Sequence, residues 1–178
     1  VGHAAEIVKV EKSNVDIIVA VGGDGTINEI AKELKGSNCA LAIIPQGSGN
    51  GLARHIGWSL KPIKAIRQIQ HATFRSIDTA NLNGKFFVSI AGIGFDSLVA
   101  QHFSSSKIRG FWGYAKWSMR AFLKYQEQDY QLFIDGETIQ KKAGMISFAN
   151  SNQFGYNTKI SPLADLEDGF IDVCLLRK

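Results

Sequence analysis

The sequence predicts a three-layer α/β domain followed by a mostly antiparallel β domain. Up to about residue 70, short apolar β-branched runs alternate with helical stretches, the pattern of parallel strands covered by helices on both faces. Beyond residue 75, strand-like runs are joined by Asn-Gly and Asp-Gly, which are strong signals for β-hairpins. We therefore place a boundary near Arg75, dividing the chain into residues 1–75 and 76–178.

The first domain is predicted to alternate between helices and strands. "AAEIVKVEK" predicts a helix, "DIIVAV" a buried strand and "INEIAKEL" a second helix. "ALAIIP" predicts another buried strand, and "QGSGNGLARHIG" a loop that enters a helix. "PIKAIRQIQ" predicts a helix with Pro62 in its first turn. In that helix, Ile63, Ile66 and Ile69 have the spacing of a single face.

The second domain is predicted to consist mainly of strands. "SIDTANL" and "KFFVSIA" flank Asn-Gly, and "YQLFI" and "ETIQKK" flank Asp-Gly, so each pair predicts a hairpin. "GMISFAN" and "FIDVCLL" predict two further strands.

Composition indicates a globular protein, since 45% of the 178 residues are hydrophobic and 20% are charged. The helical pattern already under way at Val1 indicates a fragment. No stretch has the length of a membrane span or the pattern of a signal peptide. Cys39 and Cys174 lie in apolar runs, which favours free thiols in a reducing cytosol over a disulfide.

Two glycine-rich loops follow the two predicted parallel strands. "VGGDGT" at residues 21–26 and "PQGSGN" at residues 45–50 lie at the carboxyl ends of these strands, where open α/β sheets bind ligands. Glycine lets a ligand approach the backbone without meeting a Cβ atom, and the helix that begins near Thr26 favours an anion at its N-terminus. Side by side, the loops would form a cradle of backbone N–H groups for a polyphosphate.

Asp24 is the one carboxylate in these loops. Phosphates would repel it unless a cation lay between them, which indicates Mg²⁺, a hard ion that prefers oxygen ligands. A helix-capping aspartate is the alternative. No Gly-Lys-Ser/Thr follows either loop, and "GGDGTI" lacks the register of GxGxxG, so a Walker A loop and a Rossmann fingerprint are both excluded.

The motifs resemble those of a known family. "VGGDGTINEI" resembles the nucleotide-binding signature of diacylglycerol kinase catalytic domains, which sphingosine kinases, ceramide kinases and bacterial YegS-type lipid kinases share. "IPQGSGNGLARHIG" is similar to their second signature, and "SIDTANLNGKFFVSIAGIGFD" and "PLADLEDGFIDV" extend the likeness over nearly the whole chain. The resemblance implies an α/β nucleotide-binding domain without its N-terminal strand, then a β-sandwich lipid-binding domain without its C-terminal part.

The resemblance implies that the parent protein transfers the γ-phosphoryl group of ATP, with Mg²⁺, to the hydroxyl of diacylglycerol or a similar long-chain lipid alcohol. The alternatives are an NAD-kinase-like nucleotide kinase and a non-catalytic ATP-binding regulatory module. The expected partners are the lipid substrate and a membrane surface. Nucleic acid is not expected as a partner, and a homodimer is left open.

Motif matching assigns individual residues to this reaction. Asp24 and Asp78 would be the catalytic carboxylates, with a strand-edge aspartate as the alternative for Asp78. Asp96 would contact the lipid head group, with a helix N-cap as the alternative. The residues that would hold the ATP phosphates lie in the two loops: Gly23, Asp24, Gly25, Thr26, Gly47, Ser48, Gly49 and Asn50.

The resemblance also implies a structural Mg²⁺ at the turn "ADLEDGF". Its ligands would be the Asp168 side chain and the backbone carbonyls of Asp165 and Phe170, with a solvated acidic turn as the alternative. The string "DGE" at residues 135–137 lies at a predicted hairpin tip and is assigned no catalytic role. The general base is expected beyond Lys178.

A basic and aromatic stretch covers residues 108–125. Lys116, Arg120 and Lys124 form a cationic stripe beside an apolar one, which is typical of an interfacial helix. A helix packed on the sandwich is the alternative. With this stretch, we expect a cytoplasmic protein that associates peripherally with membranes.

Overall fold

The computed structural model describes residues 2–95, 97–99, 121, 124–155 and 157–177. The chain packs as two compact units, each built from two separate stretches. The first consists of Val1–Ile90 with Ala149–Asp172, and the second of Ala91–Phe148 with Val173–Lys178. The packing units are therefore interleaved along the chain. The boundary near Arg75 divides the sequence into two consecutive domains, which is a different division from the packing units, and it stays a prediction.

The first unit contains the predicted α/β arrangement. Strands β1 (Ile17–Gly22) and β2 (Ala40–Pro45) pair in parallel, with Ile17 opposite Ala40 and Gly22 opposite Pro45. Both glycine loops therefore leave the sheet at the same edge. The elements in chain order are α1 (His3–Glu11), β1 (Ile17–Gly22), α2 (Asp24–Leu34), β2 (Ala40–Pro45), α3 (Gly51–His55) and α4 (Pro62–Ile69).

The core of the first unit lies between α2 and the sheet. The helix predicted from "INEIAKEL" is confirmed, and its residues Ile27, Ile30 and Leu34 are buried with the spacing of one face. Cys39 belongs to the same core, and burial raises the pKa of its thiol. The buried cluster is formed by Val8, Ala20, Ile27, Ile30, Leu34, Cys39, Ile43, Leu52, Ala53, Val88 and Leu166.

Helix α4 faces the sheet in an unexpected orientation. Its fully buried residue is Ala65. Ile63 and Ile66 are 65% and 45% exposed, and Ile69 is half-buried. The three isoleucines that share a spacing therefore do not form a buried face.

Both predicted hairpins are confirmed. Strands β3 (Ala80–Leu82) and β4 (Lys85–Phe87) are antiparallel, and so are β6 (Gln128–Ile134) and β7 (Glu137–Ala143). Their turns have two successive residues at positive φ, namely Asn83 at 49° with Gly84 at 76°, and Asp135 at 51° with Gly136 at 85°. Positive φ at both central residues is the geometry that Asn-Gly and Asp-Gly favour.

The predicted strand "KFFVSIA" is wrong as one element, because it breaks after Phe87. The Val88 N–H donates to Asn28 Oδ1 at 3.1 Å. The Ser89 carbonyl accepts the N–H groups of Asn150 at 2.9 Å and Ser151 at 3.1 Å. These contacts replace strand pairing at residues 88 and 89, and β5 (Ile90–Gly94) begins beyond them.

A three-stranded sheet runs through the second unit, with β8 (Met145–Ala149) between β11 (Asp172–Leu176) and β5. Strand β8 is central and entirely buried, and β11 lies beside it, so both sequence predictions are confirmed. The stretch that returns to the first unit carries the short antiparallel pair β9 (Gln153–Gly155) and β10 (Thr158–Lys159). No helix within the described ranges is long and apolar enough to cross a membrane.

Candidate functional site

The two glycine loops touch each other backbone to backbone. The Gln46 N–H donates to the Gly22 carbonyl at 2.8 Å. A Cβ atom on Gly47 would lie 2.5 Å from the Gly23 Cα, and a Cβ on Gly23 would lie 2.9 Å from the Gly47 Cα. Real Cβ atoms do not approach backbone this closely, so the contact requires glycine on both sides.

The Asp24 carboxylate joins the two loops. Its Oδ2 accepts the Asn50 N–H and its Oδ1 accepts the Gly51 N–H, each at 2.8 Å. The N-cap of α2 itself is Gly23, so Asp24 lies in the first turn of one helix and caps the next helix, α3. A carboxylate is favourable there because it satisfies unpaired N–H groups at the positive end of the α3 dipole.

Asn50 shapes the second loop from within. It is buried, its backbone is left-handed at φ 53°, and asparagine adopts this conformation more readily than most residues. Its Oδ1 accepts the Gly47 N–H at 2.9 Å, and its Nδ2 donates to the Gly47 carbonyl at 2.7 Å. The N–H groups of Gly47, Asn50 and Gly51 are therefore already bonded to side chains. Fewer N–H groups of the second loop remain for a phosphate than the sequence predicts.

A third segment, residues 153–155, supports the second loop from another side. Asn50 forms an isolated β-bridge with Gly155. A Cβ on Gly155 would lie 2.5 Å from the Gly49 carbonyl oxygen, and one on Gly51 would lie 2.7 Å from the Gln153 oxygen. The sequence analysis missed this support, although a glycine inside a strand-like run signals a close backbone approach.

The second signature also holds its loop in place. Arg54 Nε donates to the Gly49 carbonyl at 3.0 Å, and its Nη1 approaches Asn157 Oδ1 at 3.4 Å. His55 Nδ1 accepts the Asn152 N–H at 2.9 Å, so this nitrogen carries no proton while the bond exists. Arg54 and His55 lie at the end of α3 and thus tie this helix to residues 152 and 157 of the returning stretch.

Asn28 and Glu29, from the first signature, bind backbone as well. Asn28 Nδ2 donates to the Phe86 carbonyl at 3.2 Å, and its Oδ1 holds Val88. Glu29 Oε1 accepts the N–H groups of Gly2 at 3.1 Å and Ala5 at 3.0 Å. The polar residues that follow Asp24 therefore fix β4 and α1 to α2.

The Glu29 contacts predict a pH dependence of stability. The N–H groups of Ala5 and Gly2 lower the pKa of Glu29 from its ordinary value of 4.5. A carboxylate with a lowered folded-state pKa stabilises the fold fully above the unfolded-state pKa, and this stability is lost as pH falls through the folded value. In urea unfolding between about pH 3 and pH 5, we expect Glu29→Gln to show a shallower pH slope than wild type.

A matched control for Glu29 is Glu11→Gln, which changes an exposed carboxylate in the same pair of helices. We expect Glu11→Gln to keep the wild-type pH slope. Equal slopes for Glu29→Gln and wild type would contradict the assigned role of Glu29.

Asp78 and the acidic turn are brought together in the first unit. The Asp78 N–H donates to the Leu166 carbonyl at 2.6 Å. The Asp78 Oδ2 accepts the Gly169 N–H at 2.7 Å. Asp78 is therefore attached through backbone and side chain to the turn for which a metal is predicted.

Within the turn, Asp165 Oδ1 accepts the Glu167 N–H at 3.0 Å, and Asp168 Oδ1 accepts the Phe170 N–H at 2.9 Å. In the part of the chain that the structure describes, no group of three or more His, Cys, Asp or Glu residues could hold a metal ion. The predicted Mg²⁺ ligands are one carboxylate and two backbone carbonyls, not three side chains of these types, and this site stays a prediction. Asp96 lies outside the described residues, as does most of the stretch 108–125.

Asn150 connects Asp78 to the break after β4, and the sequence analysis missed it. This residue is fully buried. Its Nδ2 donates to the carbonyls of Asp78 at 2.7 Å and Val88 at 2.9 Å. Since Asn28 binds the N–H of Val88, two asparagines hold the same peptide segment from α2 and from the returning stretch.

We expect Asn150→Leu, which preserves volume, to destabilise the fold by about 2–4 kcal/mol, because two buried carbonyls lose their donor. Chemical denaturation measures this loss. Asn14 is exposed, and the same substitution there is expected to cost less than about 0.5 kcal/mol. Equal stabilities of the two variants would show that the hydrogen bonds of Asn150 do not stabilise the fold.

A cavity of about 330 Å³ lies beside Asp24 within the first unit. One carboxylate and two neutral polar side chains, those of Asn28 and Ser89, take part in its lining. The apolar lining residues are Ile27, Leu52, Phe86, Phe87, Val88 and Ile90. The cavity therefore suits a largely apolar molecule that carries a hydrogen-bonding group.

Family comparisons agree with this architecture. Residues 1–82 match the family model of the diacylglycerol kinase catalytic domain. Residues 89–178 match that of the YegS C-terminal NAD kinase beta sandwich-like domain. The predicted fold class, an α/β domain followed by a β-sandwich domain, is confirmed.

Individual relatives extend over most of the chain. A diacylglycerol kinase of Bacillus subtilis (strain 168) is 30% identical over 168 residues, covering 92% of this chain and 55% of that protein. A diacylglycerol kinase of Mycobacterium tuberculosis (strain CDC 1551 / Oshkosh) is 32% identical over 170 residues, covering 90% and 54%. The chain thus spans about half the length of the curated relatives it matches.

A solved structure shares the fold. The crystal structure of a diacylglycerol kinase from Bacillus anthracis str. Sterne superposes with a TM-score of 0.77 at 24% identity, covering 99% of this chain and 59% of that chain. On the two family models that it matches, the chain belongs to the family of diacylglycerol kinase catalytic domains and YegS-like lipid kinases.

Proposed function

We propose that the protein is an ATP-dependent lipid kinase that transfers the γ-phosphoryl group to the hydroxyl of diacylglycerol or a similar long-chain lipid alcohol. The observation that carries this proposal is the direct backbone contact of the two glycine loops, bridged by Asp24 at the N-terminus of α2. Family membership supports the reaction class.

The triphosphate of ATP would lie over the first turn of α2. The first N–H groups of a helix have no acceptor within the helix, and those of Asp24, Gly25 and Thr26 open α2. A Cβ placed on Gly25 would have no atom within 4 Å, so this side of the turn is open to a ligand. Phosphate is favoured there by the free donors and the helix dipole. Gly23 adjoins this turn. From the second loop, Ser48 and Gly49 would contribute N–H groups, while Gly47 and Asn50, whose N–H groups are bonded to side chains, would frame the site.

The carboxylates suit a hard divalent cation. Each Asp24 oxygen accepts one N–H and keeps a further lone pair. We propose Asp24 and Asp78 as the carboxylates of a Mg²⁺ network, and Asp168 with the carbonyls of Asp165 and Phe170 as holders of a structural Mg²⁺. When bound at the phosphates, Mg²⁺ supplies neutralisation of the charge on the transferring group.

The lipid acceptor would place its hydroxyl beside Asp24 in the cavity. A carboxylate among apolar side chains can accept a hydrogen bond from that hydroxyl and orient it toward the phosphate, while the apolar lining excludes water. Asp96 is proposed to contact the head group. Because such a substrate resides in a bilayer, we propose a cytoplasmic protein that works peripherally at a membrane. Whether it acts as a monomer or a homodimer is left open.

The test is a substrate panel. The purified full-length protein is incubated with ATP and Mg²⁺ and, in separate reactions, with diacylglycerol, monoacylglycerol, ceramide, sphingosine or NAD, and products are read by mass spectrometry. We expect one lipid to gain a phosphate and NAD to stay unmodified. Phosphorylation of NAD alone would establish a nucleotide kinase instead, and ATP binding without any product would establish a regulatory module.

A further inference from the structure

Helix α4 presents a surface that the candidate site does not use. Four residues of the helix and its N-cap residue are exposed, namely Ile63, Lys64, Ile66 and Arg67 with Lys61. We call these five residues the α4 surface. Two large β-branched apolar side chains open to water on one short helix are unusual, because an amphipathic helix normally buries such residues.

The inner side of α4 is already anchored, so this orientation is fixed. Ala65 is fully buried, and Gln68 Oε1 accepts the Ser59 N–H at 2.7 Å. At about 100° per residue, Ile63 and Arg67 point away from Ala65, with Ile66 and Lys64 on either flank. The outward face of α4 therefore mixes isoleucine and cationic side chains.

The sequence around α4 is purely basic. From Leu34 to Ile77 there is no aspartate or glutamate. Strand β2, against which α4 packs, carries no charged side chain. The charge of Arg75 is offset by Glu167, 3.2 Å away. The Lys and Arg residues of this window are Lys35, Arg54, Lys61, Lys64, Arg67 and Arg75.

We propose that the α4 surface docks onto an anionic lipid bilayer. Ile63 and Ile66 enter between the head groups, while Lys61, Lys64 and Arg67 contact lipid phosphates, which is how interfacial amphipathic helices bind. Nucleic acid would use the cations but not the isoleucines. A second copy of this surface would oppose cations to cations, which is repulsive. The proposal is consistent with a bilayer-resident substrate, but the binding it describes does not require turnover.

Vesicle flotation tests the cationic part of the proposal. The protein is mixed with vesicles of phosphatidylcholine containing about one third phosphatidylglycerol, and with pure phosphatidylcholine. We expect binding to the anionic vesicles only. Lys64→Gln/Arg67→Gln should weaken it by about 30-fold, since each basic residue contributes about 1 kcal/mol and tenfold corresponds to about 1.4 kcal/mol.

The matched control is Lys141→Gln/Lys142→Gln, which removes the same charge from an exposed strand. Its binding should stay within about twofold of wild type if the effect belongs to α4 and not to net charge. An equal loss in both double variants would overturn the assignment to α4.

Ile63→Gln/Ile66→Gln tests the apolar part. This variant should bind vesicles more weakly than wild type, and the difference should persist in high salt, because salt screens the cations but not apolar insertion. Val10→Gln, at a position 66% exposed on α1, is the control and should bind like wild type. Thermal unfolding checks that all variants fold. Unchanged vesicle binding in both α4 double variants would refute the proposal, as would a loss of self-association in place of vesicle binding.

A parallel kinase assay on a short-chain lipid in detergent separates this inference from the proposed function. If wild type has no kinase activity but the α4 variants lose vesicle binding, the membrane inference stands and the proposed function fails. Full turnover by variants that still bind vesicles like wild type would uphold the function and overturn the inference.

Discussion

Replacing Asp24 by asparagine is expected to lower the rate of lipid phosphorylation by about 10²–10³-fold while the protein stays folded. The substitution removes the negative charge and puts an NH₂ group against one of two N–H donors, those of Asn50 and Gly51. The lost charge-assisted hydrogen bond should cost about 1.5–3 kcal/mol of stability. Initial rates and chemical denaturation measure the two effects.

Asp129→Asn is the matched control for Asp24→Asn, because Asp129 is an exposed carboxylate on β6. It should keep wild-type turnover and stability. Wild-type turnover in Asp24→Asn would remove Asp24 from the proposed site. If Asp24→Asn loses its fold, Asp24→Glu, which keeps the charge, becomes the test. A folded Asp24→Glu variant without turnover would support the catalytic role, and one with wild-type turnover would assign Asp24 a structural role alone.

Replacing Gly47 by alanine is expected to separate the two loops. The new Cβ would lie 2.5 Å from the Gly23 Cα and 2.9 Å from Asn50 Oδ1, so backbone must shift. Overpacking of this kind costs about 1–3 kcal/mol. We also expect ATP affinity, measured by calorimetry, to fall at least about tenfold, because the displaced loop no longer frames the phosphate site.

Gly25→Ala is the comparison for stability, since a Cβ at Gly25 meets no atom within 4 Å. Inside a helix, alanine is favoured over glycine by about 1 kcal/mol, so this variant should be at least as stable as wild type. If Gly47→Ala were as stable as Gly25→Ala, the close contact of the loops would be refuted.

The sequence predicted those helices, strands and turns that are determined by residues close together in the chain. The β-branched run before Gly22 and the 3.6-residue spacing in α2 are each visible in a short window. The strand forms where it is predicted, but its predicted burial is wrong: Ala20 is buried, whereas Ile17, Val19 and Val21 are exposed. The hairpin turns followed from Asn-Gly and Asp-Gly, because these pairs accept positive φ. The resemblance to lipid kinases indicated the two loops together.

The remaining features depend on contacts between distant residues. "KFFVSIA" has the composition of one strand, and it breaks because Asn28 and Asn150, each about sixty residues away, bind its backbone. Asp24 could be read as a cap or a metal ligand, and its acceptor role toward α3 is set by the parallel register of β1 and β2. Spacing predicts that the isoleucines of α4 share a face, but not which face meets the sheet.

A crystal structure with a non-hydrolysable ATP analogue and Mg²⁺ tests the central claim most directly. We predict that the triphosphate contacts the N–H groups of Gly25 and Thr26, with the loops still in contact and Asp24 still bonded to Asn50 and Gly51. A triphosphate bound away from α2, or loops that have separated to admit it, would contradict the account.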